Sequence, residues 1–271
     1  MSDTQVDQKM TDEEIVKKYK TVARAVAADD VHAARVLYKI HQDQEKSLSE
    51  DDVSSLGFLW LTKHRKGGRS PDMVDFLHEL GFNFKQFVPN AGTRSSSGNH
   101  IPFLLLEDKD GAIILERALD IGAIPLEVRD TRGDTLLMDA LDVGYFDLAD
   151  RLLQRGLSPD LRNVAGHTAL HLFAHKVNFR AVDWLLKKGA DPDINDYQYA
   201  RPSQHVPESV GGGWDTDCLY DALEDYVADF KAGKPFVGNP TYLQMLEKEE
   251  QEEAAARAEE EETSNPRPPS P

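Results

Sequence analysis

Two histidines, His167 and His171, stand four residues apart in Gly166-His-Thr-Ala-Leu-His171, so on a helix they share one face at a spacing that can hold a metal ion. A metalloprotease pattern also needs a glutamate beside the first histidine, and Thr168 stands there instead. No further His or Cys cluster lies close in the chain to complete a coordination set, so the pair reads as structural, and no metal or cofactor is expected. Asp215, Asp217 and Asp221 suggest a calcium loop, but Tyr220 falls where that loop needs glycine and Tyr226 where it needs glutamate. These acids fit the first turn and polar face of a helix. Cys218, the one cysteine, lies early in an amphipathic stretch and reads as a buried thiol rather than a nucleophile. There is no G-x-S-x-G, Walker loop, G-x-G-x-x-G or kinase motif, so the chain is not expected to be an enzyme.

Two surface features are weaker. Lys63-His-Arg-Lys-Gly-Gly-Arg69 is a basic cluster that could grip a phosphate or an acidic partner, although a lone basic loop on so acidic a chain is more often only solvated. Pro266-Arg-Pro-Pro-Ser-Pro271 has PxxP spacing, which suits polyproline recognition and is also common in unstructured tails.

The elements that must position these residues follow from composition and period. The chain has 271 residues, 48 acidic against 31 basic, and a net charge of −17, which disfavours binding to free nucleic acid or anionic membranes. With 40% hydrophobic residues and 11 Phe, 8 Tyr and 3 Trp, it can bury a sizeable core. A single cysteine precludes an internal disulfide, and neither a leader-like apolar run nor 18 successive apolar residues occurs. A cytoplasmic monomer is the expectation. The charge is uneven: residues 247–271 carry nine acids and three bases, whereas residues 130–196 carry eleven and eight.

A fixed period, the distance from Asp130 to Asn163, organises the middle of the chain. From each of these two residues the same landmarks recur: Gly133 and Gly166, Thr135 and Thr168, Leu137 and Leu170, Leu152-Leu153 and Leu185-Leu186, Gly156 and Gly189, Asp160 and Asp193. Thr135 and Thr168 can cap helices, leucines recur at helical spacing, and Gly156 and Gly189 can end the second helix of each unit in the left-handed conformation. One such helix pair cannot bury its apolar face alone, so several must stack.

Gly166-His-Thr-Ala-Leu-His171 resembles the ankyrin-repeat signature G-x-T-P-L-H, and Leu185-Leu-Lys-Lys-Gly-Ala-Asp191 resembles its L-L-x-x-G-A-D. The departures are Leu136 and Ala169 at the family's proline, Met138 at its histidine, and Phe173 where a small residue is usual. The resemblance implies an all-α solenoid of stacked helix-turn-helix units, in which a histidine such as His171 steadies the turn by hydrogen bonds. Degenerate units extend it upstream. Ile101-Pro-Phe-Leu104 and Ala118 to Ala123 make a third repeat. Ser49-initiated Val53–Thr62 pairs with a helix opened by Ser70-Pro71 and closed by Gly81, and Asp12–Ala28, with the capping box Thr11-Asp-Glu-Glu14, pairs with Val31–His41.

The expected layout is a flexible terminus over 1–11 and a solenoid over 12–246, with clear repeats at 130–195, an inserted loop at 83–99 and a C-terminal cap at 197–246. An acidic, proline-rich disordered tail covers 247–271. The repeat signal stops after Asn195, 196–215 reads as a long loop, and Leu219, Leu223, Tyr226, Val227 and Phe230 line one face of a capping helix.

By resemblance, partner-binding residues come from finger tips and the exposed face of each first helix. Those positions are Thr131, Arg132, Asp134, Asp142 and Val143 in one repeat. In the next they are Val164, Ala165, His167, His175 and Lys176, with Arg162 and Asn195 on the trailing fingers. The leading expectation is a non-enzymatic module that binds another protein in a groove. The alternatives are an acidic inhibitor or immunity-type protein that covers a basic nuclease or toxin, and an effector or enzyme whose groups converge from the non-repeat loops.

Overall fold

The computed structural model describes residues 10–44, 47–63, 68–86, 100–106, 110–207 and 214–264. Their elements are α1 (Asp12–Tyr19), α2 (Val22–Ala27), α3 (Val31–Asp43), α4 (Glu50–Lys63), α5 (Pro71–Glu79), α6 (Ile101–Leu105), α7 (Gly111–Asp120), α8 (Leu136–Asp142) and α9 (Phe146–Gln154). There follow α10 (Ala169–His175), α11 (Phe179–Lys187), a 3-10 turn at Pro202–His205, α12 (Trp214–Lys231) and α13 (Pro240–Ser264). Among the described residues no strand forms beyond isolated bridge positions, so the fold is all-α.

Contacts gather the chain into two units, Met1–Thr131 with Asp142–Asp150, and Arg132–Leu141 with Arg151–Pro271. In the first unit the local signals act as read. Thr11 and Glu14 close a reciprocal capping box, Ser49 and Asp52 do the same ahead of α4, and Ser70 Oγ accepts the Asp72 N–H at 3.2 Å to start α5. One expectation fails: Asp12–Ala28 is not a single helix. Lys20 turns left-handed at φ 64°, and the Thr21 hydroxyl accepts the Arg24 N–H at 3.3 Å, giving the backbone a cap where it would otherwise continue.

Asp29, between α2 and α3, holds this unit together. Its carboxylate accepts the buried Trp60 indole N–H at 2.7 Å and the Ser70 N–H at 2.6 Å, tying α4 to the start of α5. A two-pronged Arg117–Asp75 pair, at 2.9 and 2.7 Å, joins α7 to α5. The basic-loop reading does not extend to Arg69, which is buried. Its guanidinium donates to the Leu61 carbonyl at 2.9 Å and lies over the Trp60 ring, so this charge is a packing element rather than a phosphate grip. Residues 64–67 of that cluster lie outside the described residues, as do 87–99 of the expected inserted loop and the PxxP segment.

In the second unit Leu170, Phe173, Leu185, Leu186, Leu219 and Leu223 form the core, and Cys218 is buried among the residues of α12. Two departures matter. The repeat does not stop at Asn195: Asp196–Ala200 forms another finger, and the 3-10 turn stands where the next first helix would begin. Secondly, α12 does not close the unit alone. Tyr242 of α13 is fully buried, its hydroxyl donates to the Phe179 carbonyl at 3.3 Å, and its ring meets Phe179 and Phe236. Glu249, inside the stretch read as tail, accepts the Arg180 N–H at 2.8 Å at the first turn of α11. Burial pushes its carboxyl above the usual range, while the N–H donors of Arg180 and Phe179 oppose this.

Candidate binding surface and histidine cluster

The fingers are built by one repeated turn. Asn163 Oδ1 accepts the N–H groups of Ala165 and His167, both at 3.0 Å, and the Asn163 N–H donates to the His167 carbonyl at 2.9 Å. Asp196 does the same: Oδ1 accepts from Gln198 at 2.8 Å and Ala200 at 2.9 Å, and its N–H donates to the Ala200 carbonyl at 2.9 Å. Such turns need a left-handed residue at the fourth position, supplied by Gly166 at φ 86° and by Tyr199 at φ 64°.

Successive fingers are joined through their backbones. The Val164 N–H donates to the Arg132 carbonyl at 3.0 Å, and the Tyr197 N–H to the Ala165 carbonyl at 3.4 Å. Glycine is required at the approach as well as in the turn, since a Cβ on Gly166 would meet the Tyr197 nitrogen at 2.6 Å. Asp134 anchors the first of these links, accepting from Asn163 Nδ2 at 2.8 Å and pairing with Arg132 at 2.7 Å.

The finger tips carry exposed apolar surface. Val164 is 71% exposed, Tyr197 63% and Tyr199 86%. Of the residues expected to bind a partner, Thr131, Asp142 and Val143 are exposed in the first unit, and Arg162, Val164, Ala165, His175, Lys176 and Asn195 in the second. Arg132 and His167 are half-buried. Asp134 is the correction: it is buried, and its carboxylate holds the fingers together rather than facing a partner.

Behind the tips lies a cluster of four histidines around Asp196. His171 is 0% exposed. Its Nδ1 accepts from the Thr168 N–H at 3.2 Å and hydroxyl at 2.8 Å, and its Nε2 donates to the Ala200 carbonyl at 3.1 Å. This ring is the steadying element the resemblance implied, and it links one repeat to the next finger. Burial foremost lowers its pKa to about 4, so it stays neutral. His205 Nε2 lies 2.9 Å from Asp196 Oδ2 and His167 Nε2 3.4 Å from the same oxygen. The rings of His167 and His205 meet edge-on at 4.7 Å, and His175 Nδ1 lies 3.3 Å from the His205 carbonyl oxygen.

The Asp196 side chain is wholly buried. Burial opposes its ionisation, but the N–H donors of Ala200 and Gln198 and the His205 ring outweigh this and hold its pKa down to about 2. His167 is pushed below its ordinary value by burial and then by repulsion from His205. Convergence of His167, Asp196 and His205 is not legible in the sequence, because His205 stands more than a full repeat beyond His167, in a segment read as loop. The spacing of Asn163 and Asp196, one full period, is the signal that could have revealed the extra finger.

Comparison with known proteins agrees with this architecture. The family model for ankyrin repeats in three copies matches residues 95–196. The chain is similar to the crystal structure of the ankyrin repeat domain of Bcl-3, a member of the IkappaB protein family. The TM-score is 0.52 and the identity 19%, over 68% of this chain and 78% of that one. It is also similar to the structure of the predatory endopeptidase Bd0816 from Bdellovibrio bacteriovorus in complex with the immunity protein Bd3460. That match has a TM-score of 0.50 and 19% identity, over 76% of this chain and 97% of the matched chain. At that identity the likeness is one of fold. Among the described residues no helix is long and apolar enough to cross a membrane. Repeated fingers, capped helix pairs and the matched family model together identify residues 95–196 as ankyrin repeats, in a chain with the all-α fold of the ankyrin solenoids.

Proposed function

We propose that this protein is non-enzymatic and docks a partner protein on the finger-tip surface of its second unit, as ankyrin repeats serve protein–protein interaction. The observation that carries this reading is the run of exposed apolar side chains on joined fingers: Val164, Tyr197 and Tyr199. Tyrosines of this kind bury a large area on binding and lose little conformational freedom, which makes them energetic centres of interfaces. Arg162, His175, Lys176 and Asn195 supply a polar rim. The working form is a monomer in the cytoplasm; a lone, buried Cys218 suits a reducing compartment. The test is affinity capture with the wild type and a Val164→Glu, Tyr197→Glu variant. A partner held equally by both would contradict the assignment.

A second reading has its own support. The net charge of −17, two thirds of it outside the segment 247–271, suits a blocker of a basic enzyme or toxin. One protein of similar fold occurs in a structure of an immunity protein with an endopeptidase. Affinity for the captured partner that falls steeply with salt supports this narrower role, and a flat dependence removes it.

A further inference from the structure

We propose that His167, Asp196 and His205 form a binding site for one divalent transition-metal ion, zinc foremost, which staples the last finger and the 3-10 turn to the start of α10. This departs from the expectation of no metal, which rested on nearness in sequence alone.

The donor set is the first argument. Two imidazole nitrogens and one carboxylate oxygen suit zinc and its neighbours rather than calcium or magnesium. The donor atoms all lie within 4.8 Å of one another. Both Nε2–Oδ2 separations, 2.9 and 3.4 Å, are close to the roughly 3.3 Å that tetrahedral bonds of about 2.0–2.1 Å impose between donors. Only a small movement, with Nε2 of each ring turned to present its lone pair, is needed to admit the ion.

Support behind the donors is the second argument. Asp196 Oδ1 is fully engaged by the Gln198 and Ala200 N–H groups, which fixes the carboxylate and leaves Oδ2 to the rings. Both rings meet the remaining oxygen through Nε2, the atom each would offer to the ion. His171 is not a donor, since both of its nitrogens are committed within the protein.

Access completes the case. The side chains of His167 and His205 are 26% and 20% exposed, so the site has a mouth while its carboxylate is dry. Three protein donors leave a fourth coordination position to water or to a side chain of a docked protein. As a staple, the ion would hold together residues that hydrogen bonds and ring contacts already join.

The test uses the full chain and zinc chloride as the probe. Calorimetry at neutral pH should show one zinc per chain. Cobalt should give the intense visible absorption of a tetrahedral site, and zinc should displace it. His205→Gln should lower zinc affinity about 100-fold or more, beyond the 10–100-fold that loss of a merely supporting group brings. His41→Gln should leave it unchanged. Because a variant can misfold, a wild-type measurement runs alongside: zinc should protect His167 and His205, but not His32 or His41, from diethyl pyrocarbonate. Absence of stoichiometric uptake overturns the proposal, as does uptake unaltered by His205→Gln or protection confined to other histidines.

Discussion

Asn163 and Asp196, one repeat apart, close the same turn: each uses one side-chain oxygen to accept two N–H groups of the finger that follows it. The second oxygen of Asp196 is what differs, and it faces His167 and His205. One repeat position therefore performs a structural task in both fingers and gains a charge only in the second.

Separation of the two tasks is the first prediction. Asp196→Ala leaves the part-buried N–H groups of Gln198 and Ala200 without their acceptor and should lower stability by about 2 kcal/mol. Asp196→Asn repeats what Asn163 already does and should lose less than about 1 kcal/mol. Denaturant unfolding of both variants checks this, and equal losses would count against the turn argument.

Tyr199 gives the second. It occupies, at φ 64°, the position that Gly166 fills one repeat earlier. Left-handed backbone is costly for a residue with a Cβ, so Tyr199→Gly should raise stability by about 0.5–1 kcal/mol. If the side chain is kept for contact, the same variant should bind the partner more weakly. A thermal melt together with a binding titration reads both effects.

These residues also explain what was legible. Helix pairs, caps and closing glycines could be read because each leaves a residue type at a fixed offset, as Ser70-Pro71, Gly156 and Thr168 do. The finger at Asp196–Ala200 is marked only by the one-period spacing of Asn163 and Asp196, because its other landmarks are disguised: Tyr199 stands for glycine, and Arg201-Pro202-Ser203-Gln204 replaces the helix-opening motif. The break at Lys20 escaped because apolar spacing continues across it. The cluster around Asp196 depends on chain segments brought together only by stacking, and no local pattern encodes that.

A third prediction concerns pH. The folded pKa of His171, about 4, lies below its ordinary value of 6.5, so the unfolded chain binds the proton more readily. Stability from this group is full above 6.5 and is lost as pH falls from there towards 4. His171→Met imitates the earlier repeat, where the Thr135 N–H faces Met138 Sδ at 3.4 Å. The variant should be less stable at pH 7, by about 0.5–1.5 kcal/mol for the lost hydrogen bond to the Ala200 carbonyl, which keeps the Asp196 N–H, yet show a flatter decline between 6.5 and 4. Unfolding followed across that range tests the sign.

The fourth concerns α13. Tyr242→Ala removes a wholly buried ring between Phe179 and Phe236 and should lower stability by about 3–5 kcal/mol. Glu249→Ala, which removes the acceptor for the Arg180 N–H, should lower it by about 1 kcal/mol. If α13 were only a solvated tail, chemical unfolding would detect neither change.

The most direct test of the central claim is the affinity of a captured partner for the wild type against the Val164→Glu, Tyr197→Glu variant, with melting temperature measured beside it. Docking on the finger tips predicts a loss of at least about 100-fold, as for interface centres worth about 3 kcal/mol or more, at an unchanged melting temperature. Equal affinity for the two proteins would contradict it.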